Sequence, residues 1–234
     1  MRFEDVGKWD EDHDVIVVGF GAAGGVAAIE AHDAGADVVL LEKMGFPGGL
    51  SAISAGGIRV SDDAEAAFEY LKCTCGGRTP DDLLRDLAEA MVELPEYVRG
   101  LAEVNGATVQ VTPAVGNYPF PGYTALGYCE VSEVPELEDG RQYYATSATT
   151  NGTRLLKVLE DNIARREVPI RYQTAAKELV TDASGQICGL IAERSGKTIA
   201  IRSRRAVILT CGGFENNADM QRQYLQRRSS AIGL

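Results

Sequence analysis

Short apolar runs alternate with a helical pattern in the first part of the chain. Residues 15–18 form a β-branched run, and residues 36–42 form a second apolar run that ends in an acid. Uninterrupted runs of this length are typical of strands buried on both faces of a parallel sheet. The small residues of the stretch 22–34 predict a helix between them that ends at Gly35. This order predicts a βαβ unit in an α/β fold.

The pattern changes toward the end of the chain. Residues 170–181, 187–194 and 198–202 are predicted as strands, because short turns rich in Gly, Ser and Asp or Lys separate them. They predict a three-stranded antiparallel β-meander over 170–202. Residues 206–214 then predict a returning buried strand that ends in Gly-Gly-Phe.

Residues 80–165, between these two parts, are predicted to be mainly helix and loop. Five apolar side chains in the stretch 80–104 fall at helical spacing, and Pro95 interrupts them. They predict a helix stripe that faces the core and not a cofactor. The five are Leu83, Leu84, Leu87, Met91 and Leu94.

The composition narrows the function. The 234 residues include 34 acidic and 23 basic side chains, and this excess of acid argues against nucleic-acid binding. The apolar run 15–29 contains four glycines and is shorter than the roughly 20 residues of a membrane span. Five cysteines, an odd number, indicate reduced thiols. We expect a cytoplasmic protein that binds a small molecule and neither nucleic acid nor a membrane.

A glycine motif directly follows the first predicted strand. Gly19, Gly21 and Gly24 have the spacing G-x-G-x-x-G, and Glu42 lies 18 residues beyond the last of them. In dinucleotide-binding folds these glycines allow the tight turn, the approach of a pyrophosphate and close packing of the helix on the sheet. The helix N-terminus attracts the phosphates, and the acid can accept hydrogen bonds from ribose hydroxyls. The motif predicts a dinucleotide site, and Glu42 argues against a 2′-phosphate.

The segment that follows bears on the choice between NAD and FAD. An NAD domain normally continues from its second strand toward another helix. Residues 43–58 instead contain two Gly-Gly pairs, whose backbone can lie flat against a ligand and offer its N–H groups. Ser51 and Ser54 could add hydroxyl donors. Residues 14–60 are therefore predicted as a dinucleotide-binding βαβ unit with a Gly-rich segment along the ligand.

Together these motifs resemble the flavoproteins that include soluble fumarate reductases, the succinate dehydrogenase flavoprotein subunit and the 3-ketosteroid dehydrogenases. The resemblance extends from about residue 9 to about residue 220. It implies FAD as the cofactor and a Rossmann-like FAD-binding domain with a parallel sheet and a β-meander. The segments that carry it are 19–24 (GFGAAG), 41–43 (LEK), 48–51 (GGLS), 55–57 (AGG), 179–182 (LVTD) and 208–214 (ILTCGGF).

The resemblance assigns the matching positions to parts of FAD. The glycines of the first motif would hold the pyrophosphate, Glu42 the adenosine ribose, and the backbone of Ala176 the adenine. The Gly-rich segment would lie along the flavin, and residues 210–212 would close over the dinucleotide, with Cys211 as a small buried hydrophobe. The implied cofactor-binding residues are Gly19, Gly21, Ala22, Ala23, Gly24, Glu42, Lys43, Gly48, Gly49, Ser51, Ala55, Gly56, Gly57, Ala176, Thr210, Cys211 and Gly212.

In this family a capping domain and a final FAD-binding stretch follow the Gly-Gly-Phe segment. The chain ends about twenty residues past Phe214. We therefore expect residues 1–234 to be the N-terminal part of an FAD-binding domain, with a missing C-terminal segment or chain as a partner. Because most catalytic residues of the family lie in the absent parts, no proton donor is assigned.

The resemblance implies an FAD-dependent oxidoreductase that acts on a carbon–carbon bond next to a carbonyl. Fumarate-reducing members have a His-Arg pair before a Gly-x-x-Leu helix start. The matching place, about nine residues before Gly152, holds Tyr143 and Tyr144, which cannot neutralise a dicarboxylate as cations would. A ketosteroid-type substrate is therefore favoured. The alternatives are fumarate or a related unsaturated acid, and a truncated fragment without catalysis.

Two further features carry less functional information. Cys73 and Cys75 are too close in sequence for a usual zinc pair, so no metal site is predicted. The aromatic loop 117–123 could line a substrate cavity or pack over the core.

Overall fold

The computed structural model describes residues 1–113, 117–135, 137, 149–215 and 217–225, which form two β-sheets, six α-helices and two short 3-10 helices. The strands are β1 (Glu11–Val18), β2 (Val38–Leu41), β3 (Ile58–Ser61), β4 (Thr108–Pro113), β5 (Leu126–Glu133), β6 (Ile170–Arg171), β7 (Thr174–Thr181), β8 (Ile187–Arg194) and β9 (Lys197–Leu209). The helices are α1 (Ala22–Asp33), α2 (Gly49–Ile53), α3 (Ala64–Cys75), α4 (Asp81–Ala102), α5 (Asn151–Arg165) and α6 (Ala218–Tyr224).

The larger sheet has six strands in the order β6-β2-β1-β9-β8-β7. Strand β1 runs parallel to both β2 and β9. Its apolar side chains alternate between two cores, since Val15 and Val17 pack toward α1 and α5, whereas Ile16 and Val18 pack toward β8 and β9. Burial on both faces explains the uninterrupted apolar run. The predicted α/β class with a parallel sheet is confirmed.

The β-meander is part of this sheet, and its third strand is longer than predicted. Residues 198–202 and the returning strand were predicted as separate elements, but both belong to β9. The first half of β9 pairs antiparallel with β8, and the second half pairs parallel with β1. One extra residue at a bulge near Ser203, whose hydroxyl donates to the Asp14 and Ala206 carbonyls, keeps the strand continuous through a polar stretch.

The predicted strand 170–181 is in fact two strands. Strand β6 pairs parallel with β2, whereas β7 pairs antiparallel with β8. The break falls at Gln173, whose φ of 52° lies in the left-handed region. The Gln173 and Thr174 N–H groups donate to the carbonyls of Met44 and Glu42, so the chain crosses the carboxyl end of β2 at this point.

A separate antiparallel sheet, in the order β3-β5-β4, was not predicted. Its strands lie in regions that were interpreted as Gly-rich segment, helix and loop. From Gly127 on, every other residue of β5 is buried, and Cys129 and Val131 pack against the core that contains α5. Strand β4 alternates polar residues with Val109 and Val111, but it is exposed along nearly its whole length, and this short alternation was missed in a region interpreted as helix and loop.

Helix α4 continues through Pro95 as one element. Only part of the predicted apolar stripe faces the core. Leu84 and Met91 are buried, but Leu83 and Leu87 are 55% and 48% exposed. The prediction for these two leucines is wrong, because each lies one position, about 100° of helix rotation, from the buried stripe.

Helix α3 ends at the two neighbouring cysteines. Cys73 is exposed and Cys75 is half-buried, and the Cys75 thiol donates to Thr79 Oγ1 at 3.0 Å. Within the described ranges, no group of His, Cys, Asp or Glu side chains is arranged to hold a metal ion. Nor does any helix in the described part of the chain have the length and apolar character needed to cross a membrane. Tyr143 and Tyr144 lie outside the described residues.

Candidate cofactor site

The turn between β1 and α1 is built by close backbone contact. Gly19 has φ of 103°, and a Cβ atom on it would lie 2.6 Å from the Thr210 carbonyl oxygen. A Cβ atom on Gly24 would lie 1.8 Å from the Gly19 carbonyl oxygen. Both positions exclude any side chain, so the first turn of α1 packs directly on the ends of β1 and β9. The predicted roles of these glycines in the turn and the packing match this geometry.

Glu42 holds this turn from the end of β2. Glu42 is only 9% exposed. One carboxylate oxygen accepts from the Phe20 N–H at 2.9 Å, and the other accepts from the Met44 N–H at 2.8 Å. Each oxygen keeps a second lone pair, so the group can still accept hydrogen bonds from a ligand's hydroxyls. The acid thus joins the glycine turn to the segment that follows β2.

Residues 210–212 leave the sheet beside this turn. The Thr210 N–H and hydroxyl both donate to the Val18 carbonyl, at 2.9 and 2.8 Å. Cys211 is exposed, and the expectation of a buried small hydrophobe is wrong for this chain. The reason is that β9 ends at Leu209, itself 57% exposed, and none of the described residues covers the strand end. Gly212 lies in open space, with φ of 78°.

The Gly-rich segment turns back toward the start of α1. It was expected to be flat, but Gly49–Ile53 forms the short helix α2. The Ser51 hydroxyl accepts from the Ala22 N–H at 3.0 Å, which occupies one free donor at the N-terminus of α1. The Ser54 hydroxyl accepts from the Gly56 N–H at 3.1 Å and donates to the Ser51 carbonyl at 2.9 Å.

An open cavity of about 340 Å³ lies between this segment and α5. Four residues of the predicted set line it: Ala22, Ser51, Gly56 and Gly57. The other lining residues are Leu50, Ser54, Ile58 and Leu155. The three apolar residues among them were not predicted as site residues from the sequence. The helix start predicted at Gly152 was the signal that could have located Leu155.

Helix α5 closes one side of the cavity through backbone contacts. A Cβ atom on Gly56 would lie 2.3 Å from the Asn151 carbonyl carbon, and one on Gly152 would lie 2.4 Å from the Ser51 carbonyl oxygen. Thr150 caps the helix, because its hydroxyl accepts from the Thr153 N–H at 3.2 Å. The start of α5 is thereby fixed against the Gly-rich segment.

The remaining predicted site residues do not line this cavity. Lys43, Ala23, Gly49 and Ala55 are exposed, and Gly48 is buried at the start of α2. Ala176 is half-buried on β7, two residues beyond Thr174, whose N–H donates to the Glu42 carbonyl at 2.9 Å. Strand β7 therefore begins beside Glu42. This places Ala176 on the side of the turn between β1 and α1, hereafter the nucleotide turn, and away from the cavity.

Comparison with known proteins identifies the family to which this fold belongs. A family model described as the FAD binding domain matches residues 14–232. The chain belongs to this FAD-binding family. The predicted resemblance is confirmed, and FAD is the cofactor of the family.

Similar members of the FAD-binding family include oxidoreductases of two kinds. The 3-oxosteroid 1-dehydrogenase of Comamonas testosteroni is 28% identical, and the match covers 95% of this chain and 50% of that protein. The fumarate reductase (cytochrome) of Shewanella frigidimarina is 30% identical, with 87% and 34% covered. The 3-ketosteroid-delta4-(5alpha)-dehydrogenase of Rhodococcus jostii RHA1 is a solved structure with a TM-score of 0.83 and 25% identity, with 99% and 53% covered. The chain spans between about a third and about half of the length of these relatives.

Proposed function

We propose that this chain forms the N-terminal part of an FAD-dependent oxidoreductase, and that the nucleotide turn and the adjoining cavity bind the two ends of FAD. The observation that carries this proposal is the position of the cavity. Its lining joins Ala22, at the first turn of α1, to Ser51, Gly56 and Gly57 of the Gly-rich segment. An extended dinucleotide that starts at Glu42 and passes the N-terminus of α1 would arrive in this cavity with its flavin end.

The residues present fit such a ligand. Gly24 lets α1 begin so close to β1 that its free N–H groups face the position of a pyrophosphate. The Ala22 N–H, which now donates to Ser51, becomes available to a phosphate if the Ser51 side chain rotates and donates to the same oxygen. Glu42 offers two free lone pairs to ribose hydroxyls. Bound FAD would supply hydride exchange at the flavin N5 atom.

We propose a carbon–carbon bond next to a carbonyl as the site of reaction, and a ketosteroid-type substrate. Three apolar side chains line the cavity, Leu50, Ile58 and Leu155. They would exclude water from the flavin and contact an apolar substrate. The similarity to the Rhodococcus enzyme also supports this choice. Tyr143 and Tyr144 lie outside the described residues, so their preference against a dicarboxylate stays a prediction.

Two alternatives follow from other observations. The similarity to a fumarate reductase supports an unsaturated acid as the substrate. The share of each relative that this chain does not match supports a need for a further segment or chain to complete the site. The cytoplasmic location also remains a prediction.

The first test is an absorption spectrum of the purified protein after incubation with FAD and desalting. We expect flavin absorption to persist in the wild type and to be lost in Ser51→Val, whose side chain can neither accept from Ala22 nor donate to a phosphate. Lys197→Gln is the control, because Lys197 is exposed at the start of β9 and is not among the residues assigned to FAD. Equal flavin retention in the wild type and Ser51→Val would contradict the proposed path of the cofactor. Reoxidation of the reduced flavin by a 3-ketosteroid or by fumarate would then distinguish the two substrate classes.

A further inference from the structure

The last turn of α3 carries two cysteines that the proposed function does not use. Cys73 is exposed, and Cys75 is half-buried against the core shared by α3, α4 and the start of β5. Gly76 and Gly77 follow directly, with φ values of 60° and 73°. A Cβ atom on either glycine would meet nothing within 4 Å, so the backbone after the helix has room to move. The two thiols thus lie between a core and a loosely packed turn.

The Cys75 sulfur faces groups that can donate hydrogen bonds to it. Its thiol lies 3.0 Å from Thr79 Oγ1. The protonated sulfur donates to this oxygen, but a hydroxyl is also a donor and can donate to the deprotonated sulfur. The bond with Thr79, assisted by the backbone N–H groups of Arg78 and Thr79, lowers the pKa of the Cys75 thiol. Local structure therefore stabilises the thiolate, which is the nucleophilic form of cysteine.

Two other cysteines have the opposite surroundings. Cys188 is half-buried like Cys75, and Cys211 is exposed. Their sulfurs lie 3.5 and 3.7 Å from the carbonyl oxygens of Val180 and Val18, which accept hydrogen bonds but cannot donate them. These contacts favour the thiol, and burial raises the pKa of Cys188. Cys75 therefore differs from a cysteine of similar burial in the donors around its sulfur.

We propose that Cys75 and Cys73 form a peroxide-sensitive dithiol, in which Cys75 is the reactive thiolate and Cys73 closes a disulfide. The Cys75 sulfur attacks one oxygen of hydrogen peroxide, so that an S–O bond forms, the O–O bond breaks, and the departing hydroxide takes up a proton to give water. The sulfur is oxidised to a sulfenic acid and the peroxide is reduced. The Cys73 thiol then attacks this sulfur, the S–O bond breaks, and the hydroxyl leaves with the thiol proton as a second water.

Closing this disulfide would unwind the end of α3. Residues two positions apart on a helix point about 200° away from each other, whereas a disulfide needs Cβ atoms about 3.5–4.5 Å apart. Cys73 and Cys75 meet this requirement only if the last turn leaves the helix, which removes Cys75 from the core that it shares with Leu126. Leu126 pairs with Ser61 at the end of β3, and Ile58, the first residue of β3, lines the cavity. The oxidation of α3 thereby loosens the core that supports one wall of the cavity.

Treatment of the full chain with hydrogen peroxide, followed by tryptic mass spectrometry, tests the proposal. Lys72 and Arg78 flank the pair, so trypsin releases residues 73–78 as one peptide that contains no other cysteine. We expect this peptide to lose two hydrogen atoms and to resist alkylation, and to do so at least about tenfold faster than Cys188 is oxidised. Dithiothreitol should restore both thiols.

Single substitutions separate the roles of the two cysteines. In Cys73→Ser, the reaction should stop at the sulfenic acid of Cys75, which dimedone traps. In Cys75→Ser, the remaining Cys73 should react about as slowly as Cys188 does in the wild type, because it lacks the donors at position 75. Cys188→Ser is the matched control and should leave the formation of the disulfide unchanged.

Substitution of Thr79 tests whether its hydroxyl activates Cys75. Thr79→Val removes the hydroxyl at nearly constant shape and should slow the oxidation of Cys75 about tenfold at neutral pH, with the rate rising at a higher pH than in the wild type. Thr79→Ser keeps the hydroxyl and should retain the wild-type rate. Circular dichroism establishes that each variant is folded. A merely structural role of Thr79 would leave the pH profile of oxidation unchanged.

The urea midpoint tests the predicted change in α3. The oxidised wild type should unfold at a lower urea concentration than the reduced form, and peroxide should not change the midpoint of Cys75→Ser. Equal oxidation rates of Cys75 and Cys188, an unchanged rate in Thr79→Val, or sulfenic acid without a disulfide in the wild type would overturn the assignment of the dithiol. An unchanged midpoint after the disulfide forms would overturn the unwinding of α3. All of these measurements use the FAD-free protein, so their outcome is independent of the proposed function.

Discussion

The nucleotide turn and the cavity side of the molecule meet their hydrogen-bonding needs in opposite ways. At the nucleotide turn, Glu42 accepts from two backbone N–H groups, and Thr210 donates twice to one strand carbonyl. On the cavity side, the Ser51 hydroxyl accepts from the Ala22 N–H at the N-terminus of α1, and it can rotate away from this donor. On the neighbouring antiparallel sheet, Nη1 of Arg59 is a buried donor without a hydrogen-bond partner. The groups of the first region are each paired within the chain, although Glu42 can accept further bonds, whereas the second region has a donor without a partner.

This difference predicts which substitutions affect folding and which affect ligand binding. Substitutions at the nucleotide turn should act mainly on folding, because backbone packs there against backbone. Side-chain substitutions on the open wall of the cavity, such as Ser51→Val, should act more on binding than on stability, whereas Gly56 packs its backbone against α5 and should affect both. The variants below test this distinction, beginning with the largest expected effect.

Gly24→Ala should cause the largest loss of stability. Its methyl group would lie 1.8 Å from the Gly19 carbonyl oxygen, and the backbone must move to relieve the overlap. We expect a destabilisation of about 3 kcal/mol or more, together with loss of FAD binding, measured by urea unfolding and flavin absorption. Gly100→Ala in α4 is the matched helical control. It meets no atom within 4 Å and should stabilise the protein by about 0.5–1 kcal/mol. Similar unfolding curves for the two variants would refute the role of the close contact.

The contact between the Gly-rich segment and α5 gives the next largest effect. Gly56 and Gly49 both have positive φ, at 73° and 50°. Only Gly56 has a close neighbour, since its Cβ would lie 2.3 Å from the Asn151 carbonyl carbon. We expect Gly56→Ala to destabilise the fold by about 2 kcal/mol or more and to weaken FAD binding, but Gly49→Ala to show only the strain of about 1 kcal/mol. Urea midpoints of the two variants provide the comparison, and equal midpoints would show that the α5 contact is unimportant.

The two regions also differ in how much the sequence could reveal. The βαβ unit is determined by local patterns, so its strands, helix and glycine motif were predicted near their observed positions. The cavity depends on the β3-β5-β4 sheet, whose pairings join residues far apart in sequence. Strand β4 is exposed along nearly its whole length, and its polar/apolar alternation is confined to six residues, too few to identify its partner strand. The unpaired Arg59 donor could not be predicted either, because it results from tertiary packing.

Charge pairing explains another difference between prediction and structure. The polar stretch around Arg204 predicted the end of a strand, but β9 continues through it. Arg204 donates to Asp14 at 2.8 Å and to Asp37 at 3.1 Å, and it also pairs with Asp12. These acids belong to β1 and to the turn before β2. Their distance in sequence hid the fact that neighbouring strands neutralise the arginine.

Glu42→Gln should have a smaller effect than either glycine substitution at a close contact. The amide of Gln offers one acceptor oxygen, so its nitrogen must face the N–H group of Phe20 or of Met44. We expect a destabilisation of about 1–3 kcal/mol, as for a buried donor left without a partner, and an approximately tenfold weaker affinity for FAD. Fluorescence titration with FAD measures the second effect. Glu89→Gln, the same change at an exposed position of α4, is the control and should lie within about 0.5 kcal/mol of the wild type. Equal loss in both variants would contradict the role of the carboxylate.

Arg166→Gln should give the smallest change, and this change depends on pH. The Arg166 guanidinium donates twice to Asp33, both times at 2.7 Å, and lowers the pKa of that carboxyl from 3.8 to about 2. A lowered folded-state pKa stabilises the protein above the unfolded value near 4, and the benefit is lost as the pH falls toward 2.

We therefore expect Arg166→Gln to be destabilised by about 1 kcal/mol at neutral pH, because Asp33 is close to half exposed. The difference from the wild type should narrow between pH 4 and pH 2. A residual difference should remain, because Arg166 Nη1 also donates to Asn162 Oδ1 at 2.8 Å, and that bond does not titrate. Urea unfolding across this range measures the effect, with the exposed neighbour Arg165→Gln as the control. A difference that stays constant with pH would assign the whole effect of Arg166 to Asn162, and the ion pair with Asp33 would then contribute nothing to stability.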